Sequence, residues 1–413
     1  MLDEPAATAE MQLLFDCSRP QPAPDSLERI DGLLSRGLDW DRVATLAIGH
    51  RMLPLVLNTL DHLPGRVPAE ALARMRQFEH QNALRMLRIT GDALTLIHAA
   101  GERGIPVLPY KGPFLSWQLY GVPAMRQARD LDLVVRRRDV RAMQRLLMER
   151  GYTEQIRLLN GQREFMLRSR YSAGFASPTG TILELHWAFT NGDYAYPLTL
   201  SRLAPDLESM RIAGQQVWCI PLTELVLLLC LHGTKHSWQR LELLCSMAES
   251  AHRLAPPEWD DLLDKATARG VRRMVLIGML LAQDLVGLDV PRAVLEAGRR
   301  DGQARRLSAE VAARLRAGHL ERTYVGLEDD LFHYRARERL RDRLRFLAYR
   351  ITTPSDPKQW RVLKAGGLVI PLHAFIRPFR LLLRSVPLLL GQRARSNGRA
   401  RAAAATLGTG EAR

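Results

Sequence analysis

The sequence predicts an α+β protein in which a small α/β unit is set between two helical regions. Three observations carry that expectation. Apolar residues recur at three- and four-residue steps over 26–100 and again from 221 onward, the spacing of amphipathic helices. Between these stretches the period changes to two, in LDLVV (131–135) and TILELHW (181–187). Two further helical patterns, PFLSWQLY (113–120) and DVRAMQRLLMERG (139–151), separate those strands from each other and from the short apolar run IPVLPY (105–110). The resulting order is strand–helix–strand–helix–strand, which describes a compact α/β unit.

The N-terminal helices are read from SLERIDGLLSRGL and from ALARMRQFEHQNALRMLRITGDALTLIHAAGERG, whose closing Gly101 and Gly104 suit a helix C-terminus. Beyond Pro221, TELVLLLCLHGTKH, RLELLCSMAESAHRL, WDDLLDKATARG and VRRMVLIGMLLAQDLVG each keep helical spacing, and Arg/Glu-rich helices continue through RERLRDRLRFLAYR (337–350). TTPSDPKQW (352–360) reads as a turn-rich linker, and the Arg/Ala/Gly-rich end has no core-forming pattern and is expected to be disordered. The chain is thus expected to divide into an N-terminal helical region (1–100), an α/β core (101–220), a C-terminal helical domain (221–350), a linker with an amphipathic basic segment (351–390) and an Arg-rich tail (391–413).

Composition narrows the class. The 413 residues are 46% hydrophobic, 25% charged and 6% aromatic, which excludes a disulfide-stapled mini-protein and a wholly disordered chain. The formal charge of +15 invites a nucleic-acid or anionic-surface partner. Its location weakens the first of these: residues 351–413 hold 11 Lys/Arg against 2 Asp/Glu, and the other 350 residues carry only +6. Aromatic residues are absent from the last 23 positions, which argues against a nucleic-acid stacking platform and leaves peripheral contact with a membrane or an acidic partner. The acidic N-terminus, MLDEPAATAEM, lacks the basic and apolar regions of a signal peptide, so a cytoplasmic protein is expected. Cys17, Cys219, Cys230 and Cys245 show no CxxC spacing and read as buried thiols. GGLVIPLHAFIRPFRLLLRSVPLLL (366–390) is interrupted by Arg377, Arg380, Arg384 and three prolines, so it suits a surface-lying segment rather than a membrane span.

The chemistry concentrates in YKGPFLSWQLYGVPAMRQARDLDLVV and TILELHW. Side chains alternate along a strand, so Asp130, Asp132 and Val134 share one face and Leu131, Leu133 and Val135 the other. Two carboxylates two residues apart repel unless a cation lies between them, and hard divalent ions, Mg²⁺ above all, take oxygen ligands. The same alternation puts Glu184 and His186 on one face of the second strand. If that strand lies beside the first, Glu184 completes a cluster able to hold two ions, the arrangement that serves in-line phosphoryl or nucleotidyl displacement. Upstream, Lys111-Gly112-Pro113 ends a strand and opens a helix. Gly112 permits close backbone approach, Pro113 suits the first helical turn, and the free N–H groups with Lys111 offer a phosphate site.

KGxxLxxxLYxxxxxRxxxDLDLLV, then [DE]LHW, then LLxLCLHxxKHxWxRL, is a pattern this chain resembles from roughly 26 to 390. It is that of the uncharacterised nucleotidyltransferase family of the polymerase-beta-like superfamily. The resemblance implies a small nucleotidyltransferase α/β domain with a mixed sheet over 101–220. It implies Asp130 and Asp132 as the metal-binding pair, Glu184 as the third acid, and Arg126 facing the phosphates or the acceptor. It also implies two Mg²⁺ ions and an NTP, ATP by default. The chain departs from the pattern in reading LPYKG where the family has LKG, and in placing Pro113 after Gly112 where the wider superfamily has Ser or Gly, so a serine contact to phosphate is missing.

His232 and His236 have the i, i+4 spacing of zinc ligands, but Gly233, Thr234 and Lys235 between them supply no glutamate, so the zinc-protease reading fails. These histidines are expected to pack the C-terminal helices on the core, with Lys235 or His236 reaching the nucleotide as the functional alternative. His186 either orients Glu184 and meets substrate or makes a structural hydrogen bond. Trp187 and Trp238 are expected in the interdomain core, and Arg136–Arg138 in a solvated turn. Glycine fingerprints of other nucleotide folds and the Gly-x-Ser-x-Gly elbow are absent. The functional expectation is therefore a metal-dependent transfer of a nucleoside monophosphate from an NTP to a protein, peptide, sugar or small-molecule acceptor with release of pyrophosphate. The alternative is a weak or inactive nucleotide-binding scaffold on the same fold.

Overall fold

A computed structural model describes residues 7–156, 167, 170–194, 198–320 and 327–352. The basic segment and tail expected over 366–413, and most of the 352–360 linker, lie outside the described residues. The N-terminal flank contains α1 (Ala9–Asp16), α2 (Pro24–Ser35), α3 (Trp40–Gly49), α4 (Leu53–Leu60) and the long α5 (Ala69–Gly101). The α/β region follows with β1 (Val107–Pro109), α6 (Gly112–Tyr120), β2 (Asp130–Val135), α7 (Val140–Glu149), β3 (Thr153–Glu154), β4 (Ser172–Ala176), β5 (Ile182–His186) and α8 (Leu200–Leu203). A hairpin of β6 (Glu208–Ile212) and β7 (Gln215–Cys219) leads into the C-terminal helices. These are α9 (Leu222–Lys235), α10 (Leu241–His252), α11 (Pro256–Arg269), α12 (Arg272–Val286), α13 (Arg292–Arg300), α14 (Gly302–Arg316), α15 (Leu327–Ala336) and α16 (Leu340–Thr352).

The main sheet runs β1-β2-β5-β4-β3, with β2 and β5 parallel and the other pairs antiparallel. It is the mixed sheet that the resemblance implies. Strand alternation sorts its faces as the sequence requires. Leu131, Leu133, Val135, Leu183 and Leu185 are all at most 1% exposed and pack with Ile89, Ala93 and Leu96 of α5 and Met143, Leu146 and Leu147 of α7. The apolar residues of α7 repeat at three- and four-residue steps, which aims one stripe at the sheet. Each fully buried Leu in this layer contributes about 1.5–3 kcal/mol of transfer free energy. On the opposite face Leu108 and Val134 join the other core; Asp130, Asp132, Glu184 and His186 are left to line a cavity.

That other core is shared by both helical flanks. Met11, Leu14, Val43 and Leu53 from the N-terminal helices pack in one cluster with Leu244, Met247, Leu276 and Leu307 from the C-terminal ones. Cys245 Sγ sits 3.6 Å from Met52 Sδ across that contact, and all four cysteines are buried and free. Trp238 is fully buried there, packed so closely on α9 that a Cβ at Gly233 would lie 2.5 Å from its ring; Trp187 is buried instead in the sheet core. The hairpin of β6 and β7 was not expected. Its two-residue turn uses Ala213 (φ +50°) and Gly214 (φ +81°), the left-handed pair that a tight hairpin demands. No described helix is long and apolar enough to cross a membrane.

Candidate active site

The site begins with strand register. β2 and β5 pair in parallel so that Asp132 lies directly opposite Glu184, and Val134 opposite His186. Same-face side chains on adjacent strands therefore converge without any loop having to place them. β1 brings the third element: the Tyr110 N–H donates to the Asp132 carbonyl at 3.0 Å, which sets Lys111 beside the Asp132 side chain. At the turn into α6, Gly112 takes φ +58°, and its Cα faces the Asp130 carbonyl. The first turn of α6 thus points its free N–H groups at the start of β2.

Asp132, 5% exposed, has a cationic or hydrogen-bonding group on each oxygen. His186 Nε2 lies 2.7 Å from Oδ1, and Lys111 Nζ 3.4 Å from Oδ2. Burial alone would raise this carboxyl, but Lys111 and His186 outweigh it and hold the group well below the usual carboxylate range. The partners respond in kind. Burial opposes charge on Lys111 and on His186, yet the adjacent carboxylates win and raise both above their ordinary values. The same His186 Nε2 lies 3.3 Å from Glu184 Oε2, and this hydrogen bond lowers the Glu184 carboxyl despite its partial burial. Asp130 behaves oppositely: burial and the neighbouring Asp132 charge raise it.

Asp132, Glu184 and His186 bring one ligand atom each to within 4.8 Å of one another, the one such metal-capable group among the described residues. Asp130 stands outside that group but lines the same cavity. The donors fit a hard divalent ion through their carboxylate oxygens, and His186 is placed to orient both acids rather than to serve as a remote structural histidine. His232 and His236 belong to no metal-capable cluster among the described residues; their rings meet edge to face at 4.6 Å and both line the cavity. Burial and the nearby Lys111 push His232 well below its ordinary value, so it is neutral. Lys235 also reaches the cavity, where its ammonium donates to the Tyr171 hydroxyl.

The cavity measures about 470 Å³, within the range of small-molecule sites. Arg126 lines it, but not as an open side chain. The residue is 8% exposed and pairs with Glu242 at the start of α10. Its backbone is anchored from α5, where the Asn82 side chain donates to the Ala124 and Arg126 carbonyls at 3.3 and 3.1 Å. The helical flanks complete the walls with residues to which no sequence reading assigned a role: Arg51 before α4, Arg240 (the arginine of the KHxWxRL pattern) before α10, and Tyr349 and Arg350 on α16. The cavity thus combines an acidic cluster on the sheet with arginines from the helical flanks.

The sequence profile of the uncharacterised nucleotidyltransferases matches residues 36–287, more than half of the chain. The protein belongs to this family. The matched span includes the three acids, Lys111, Arg51, Arg126 and Arg240, and stops before Tyr349 and Arg350. No curated protein matches the sequence significantly. Among solved structures, the antibiotic-resistance factor ANT(2'')-Ia, whose solution structure shows substrate-regulated conformation dynamics, aligns at TM-score 0.31 and 16% identity over 43% of this chain and 93% of its own. An antigenic nucleotidyltransferase-like protein from Paracoccidioides brasiliensis aligns at TM-score 0.30 and 16% identity over 50% of this chain and 96% of its own.

Proposed function

We propose that this family member is a metal-dependent nucleotidyltransferase that moves a nucleoside monophosphate from an NTP to an acceptor nucleophile. The observation that carries the reading is the parallel register that sets Asp132 against Glu184, with His186 bridging them on the floor of the cavity and Lys111 at the mouth of α6. Asp132 and Glu184, with Asp130 beside them, would hold Mg²⁺, which supplies charge neutralisation of the triphosphate and activation of the acceptor oxygen. Lys111 and the first turn of α6 bind phosphate oxygens. His186 fixes the two acids in orientation through a single nitrogen. The acceptor nucleophile, seated in the cavity, attacks the α-phosphorus. The new bond joins the acceptor to that phosphorus, and the bond to the bridging oxygen breaks to release pyrophosphate.

The test is transfer of label from α-³²P ATP, and from the other NTPs, to a component of whole-cell extract in the presence of Mg²⁺. The wild-type protein is expected to label an acceptor and Asp132→Asn is not; equal labelling by both would overturn the assignment. One observation favours a second reading, nucleotide binding without turnover: Pro113 follows Gly112, so the first turn of α6 offers no hydroxyl to the phosphates. Mg²⁺-dependent stabilisation by ATP with no label transfer and no pyrophosphate release would select it.

A further inference from the structure

Arg51 and Arg240 stand apart from the other charged groups of the cavity. Lys111 faces Asp132, Arg126 faces Glu242, and Arg350 faces Asp330 at 2.7 Å. Among the described residues, Arg51 and Arg240 make neither an ion pair nor a side-chain hydrogen bond, although both line the cavity. Arg126 adds to this imbalance, because its Nε and Nη1 are buried without a hydrogen-bond partner while Glu242 engages the remaining nitrogen.

The backbone holds these arginines in place. The His50 carbonyl accepts from the Glu242 N–H at 3.2 Å, and His50 Nδ1 accepts from the Leu241 N–H at 3.4 Å, so the segment carrying Arg51 is stapled to the segment carrying Arg240. Arg51 itself is left-handed at φ +59°, and Ser237 and Trp238, just before Arg240, are left-handed at φ +49°. Non-glycine residues in that region cost of order 1–3 kcal/mol each and persist where surrounding structure imposes them. Burial lowers all three arginines, Arg126 and Arg240 to about 10, and Arg51 and Arg126 crowd Arg240 further. All three nonetheless stay charged at neutral pH. The three guanidiniums face two carboxylates, Glu242 in contact with Arg126 and Asp130 acting from a distance on Arg51 and Arg240, so positive charge is left in excess for an anion, and the planar guanidinium fork matches phosphate oxygens two at a time.

We infer that Arg51, Arg126 and Arg240 form a clamp for a phosphoryl anion at the Asp130 end of the cavity, assembled from both helical flanks. The inference deepens the nucleotidyltransferase reading and rests on it for the source of the anion: the β,γ-phosphates that leave as pyrophosphate, or a phosphoryl group on the acceptor.

Titration calorimetry with the full chain separates these. The probes are Mg²⁺–pyrophosphate, Mg²⁺–ATP, AMP, and inorganic phosphate added to ATP-saturated protein; the variants are Arg51→Gln, Arg240→Gln, the double variant and Arg240→Lys, with melting temperature as the check on folding. Each single Gln variant is expected to weaken pyrophosphate and ATP about tenfold, the double variant more, with AMP unchanged and Arg240→Lys intermediate because it keeps the charge but loses the fork. Unchanged pyrophosphate and ATP affinity, with phosphate binding to the ATP complex lost in the variants, assigns the clamp to the acceptor. Wild-type protein that binds none of these anions, or a folded double variant that binds all of them as the wild type does, overturns the clamp. Failure of the parent reading looks different: no label transfer by the wild type, while the arginine-dependent pyrophosphate binding remains.

Discussion

At the sheet end of the cavity each oxygen of buried Asp132 meets a partner, His186 at 2.7 Å and Lys111 at 3.4 Å. At the helical end Arg51 and Arg240 make no ion pair among the described residues, and Arg126 pairs with Glu242. The first arrangement is self-sufficient without ligands, with one carboxylate held by two neighbouring bases. The second accumulates like charge and is held together by two hydrogen bonds that His50 accepts, one at its carbonyl and one at its ring. The difference teaches where ligand binding draws its free energy. A metal arriving at Asp132 displaces existing partners and gains only the surplus, whereas an anion arriving at the arginines relieves a repulsion already present.

The largest expected effect lies at the compensated end. Asp132→Asn keeps the shape and the strand but removes the charge that holds Lys111, His186 and a divalent ion, and nucleotide transfer should fall by at least about 10²-fold, the scale on which single electrostatic contacts to a transition state act. Removal of divalent ions by EDTA should reproduce the loss in the wild type, with Mg²⁺ restoring activity. Transfer that survives both treatments would place the reacting phosphate elsewhere.

Next comes Glu242, the carboxylate in contact with Arg126 at the other end. Glu242 is 3% and Arg126 8% exposed, so Glu242→Gln leaves a buried guanidinium unpaired, a change that costs about 3–5 kcal/mol in comparable buried pairs. The loss should appear as a lower denaturation midpoint in urea and should be partly reversed by millimolar pyrophosphate, because the anion replaces the missing carboxylate. A variant as stable as the wild type would show that Arg126 is compensated from another direction.

How these two ends compare in legibility follows from their construction. The acids were readable because strand alternation is local: Asp130, Asp132, Glu184 and His186 announce their faces within five residues each, and Lys111-Gly112 marks a strand-to-helix turn by its chemistry alone. What alternation does not supply is strand order, so the opposition of Asp132 and Glu184 had to come from the structure. Arg51 had no such signal, and Arg240 had one only as the arginine of the KHxWxRL pattern, with no role attached to it. Each sits at a helix boundary among ordinary charged residues, and the two meet only through tertiary packing of segments 191 residues apart in sequence at Leu241 and His50. Arg126 was placed at the phosphates by resemblance alone; its pairing with Glu242 depends on where α10 begins. The strand SAGFA of β4 was missed because small residues and glycine give no two-residue period, whereas the hairpin after it carried a usable cue in Gly214.

The staple behind the arginines makes a pH-dependent prediction. His50 is fully buried, and burial with the nearby charges of Arg314 and Arg240 lowers it to about 4 from 6.5. Since the folded value is depressed, the unfolded chain binds the proton more readily, and stability is full above pH 6.5 and is lost as pH falls toward 4. A shift of that size corresponds to at most about 3 kcal/mol. Denaturation curves from pH 7 to 4.5, compared between wild type and His50→Gln, should show a steeper acid loss in the wild type; parallel curves would mean that His50 titrates freely. Weakening of pyrophosphate binding over the same range would tie the staple to the clamp.

The smallest effect belongs to Gly112, which lies between the two ends at the opening of α6. A Cβ there would meet the Asp130 carbonyl at 3.5 Å and the Ala128 Cβ at 3.6 Å, ordinary contact distances, so there is room for alanine. The obstacle is the backbone, because φ +58° costs an L-residue about 1–2 kcal/mol. Gly112→Ala should therefore lose about that much stability, and Gly112→Asn less, since asparagine tolerates the left-handed region better. Equal denaturant slopes for the three proteins would confine the change to the native backbone. Both variants leave every charge in the cavity in place, so the affinity for pyrophosphate at Arg51 and Arg240 should hold even where α6 shifts. If pyrophosphate affinity falls along with stability, the helix N-terminus and the arginines grip the same phosphate, and the two ends of the cavity act as one site.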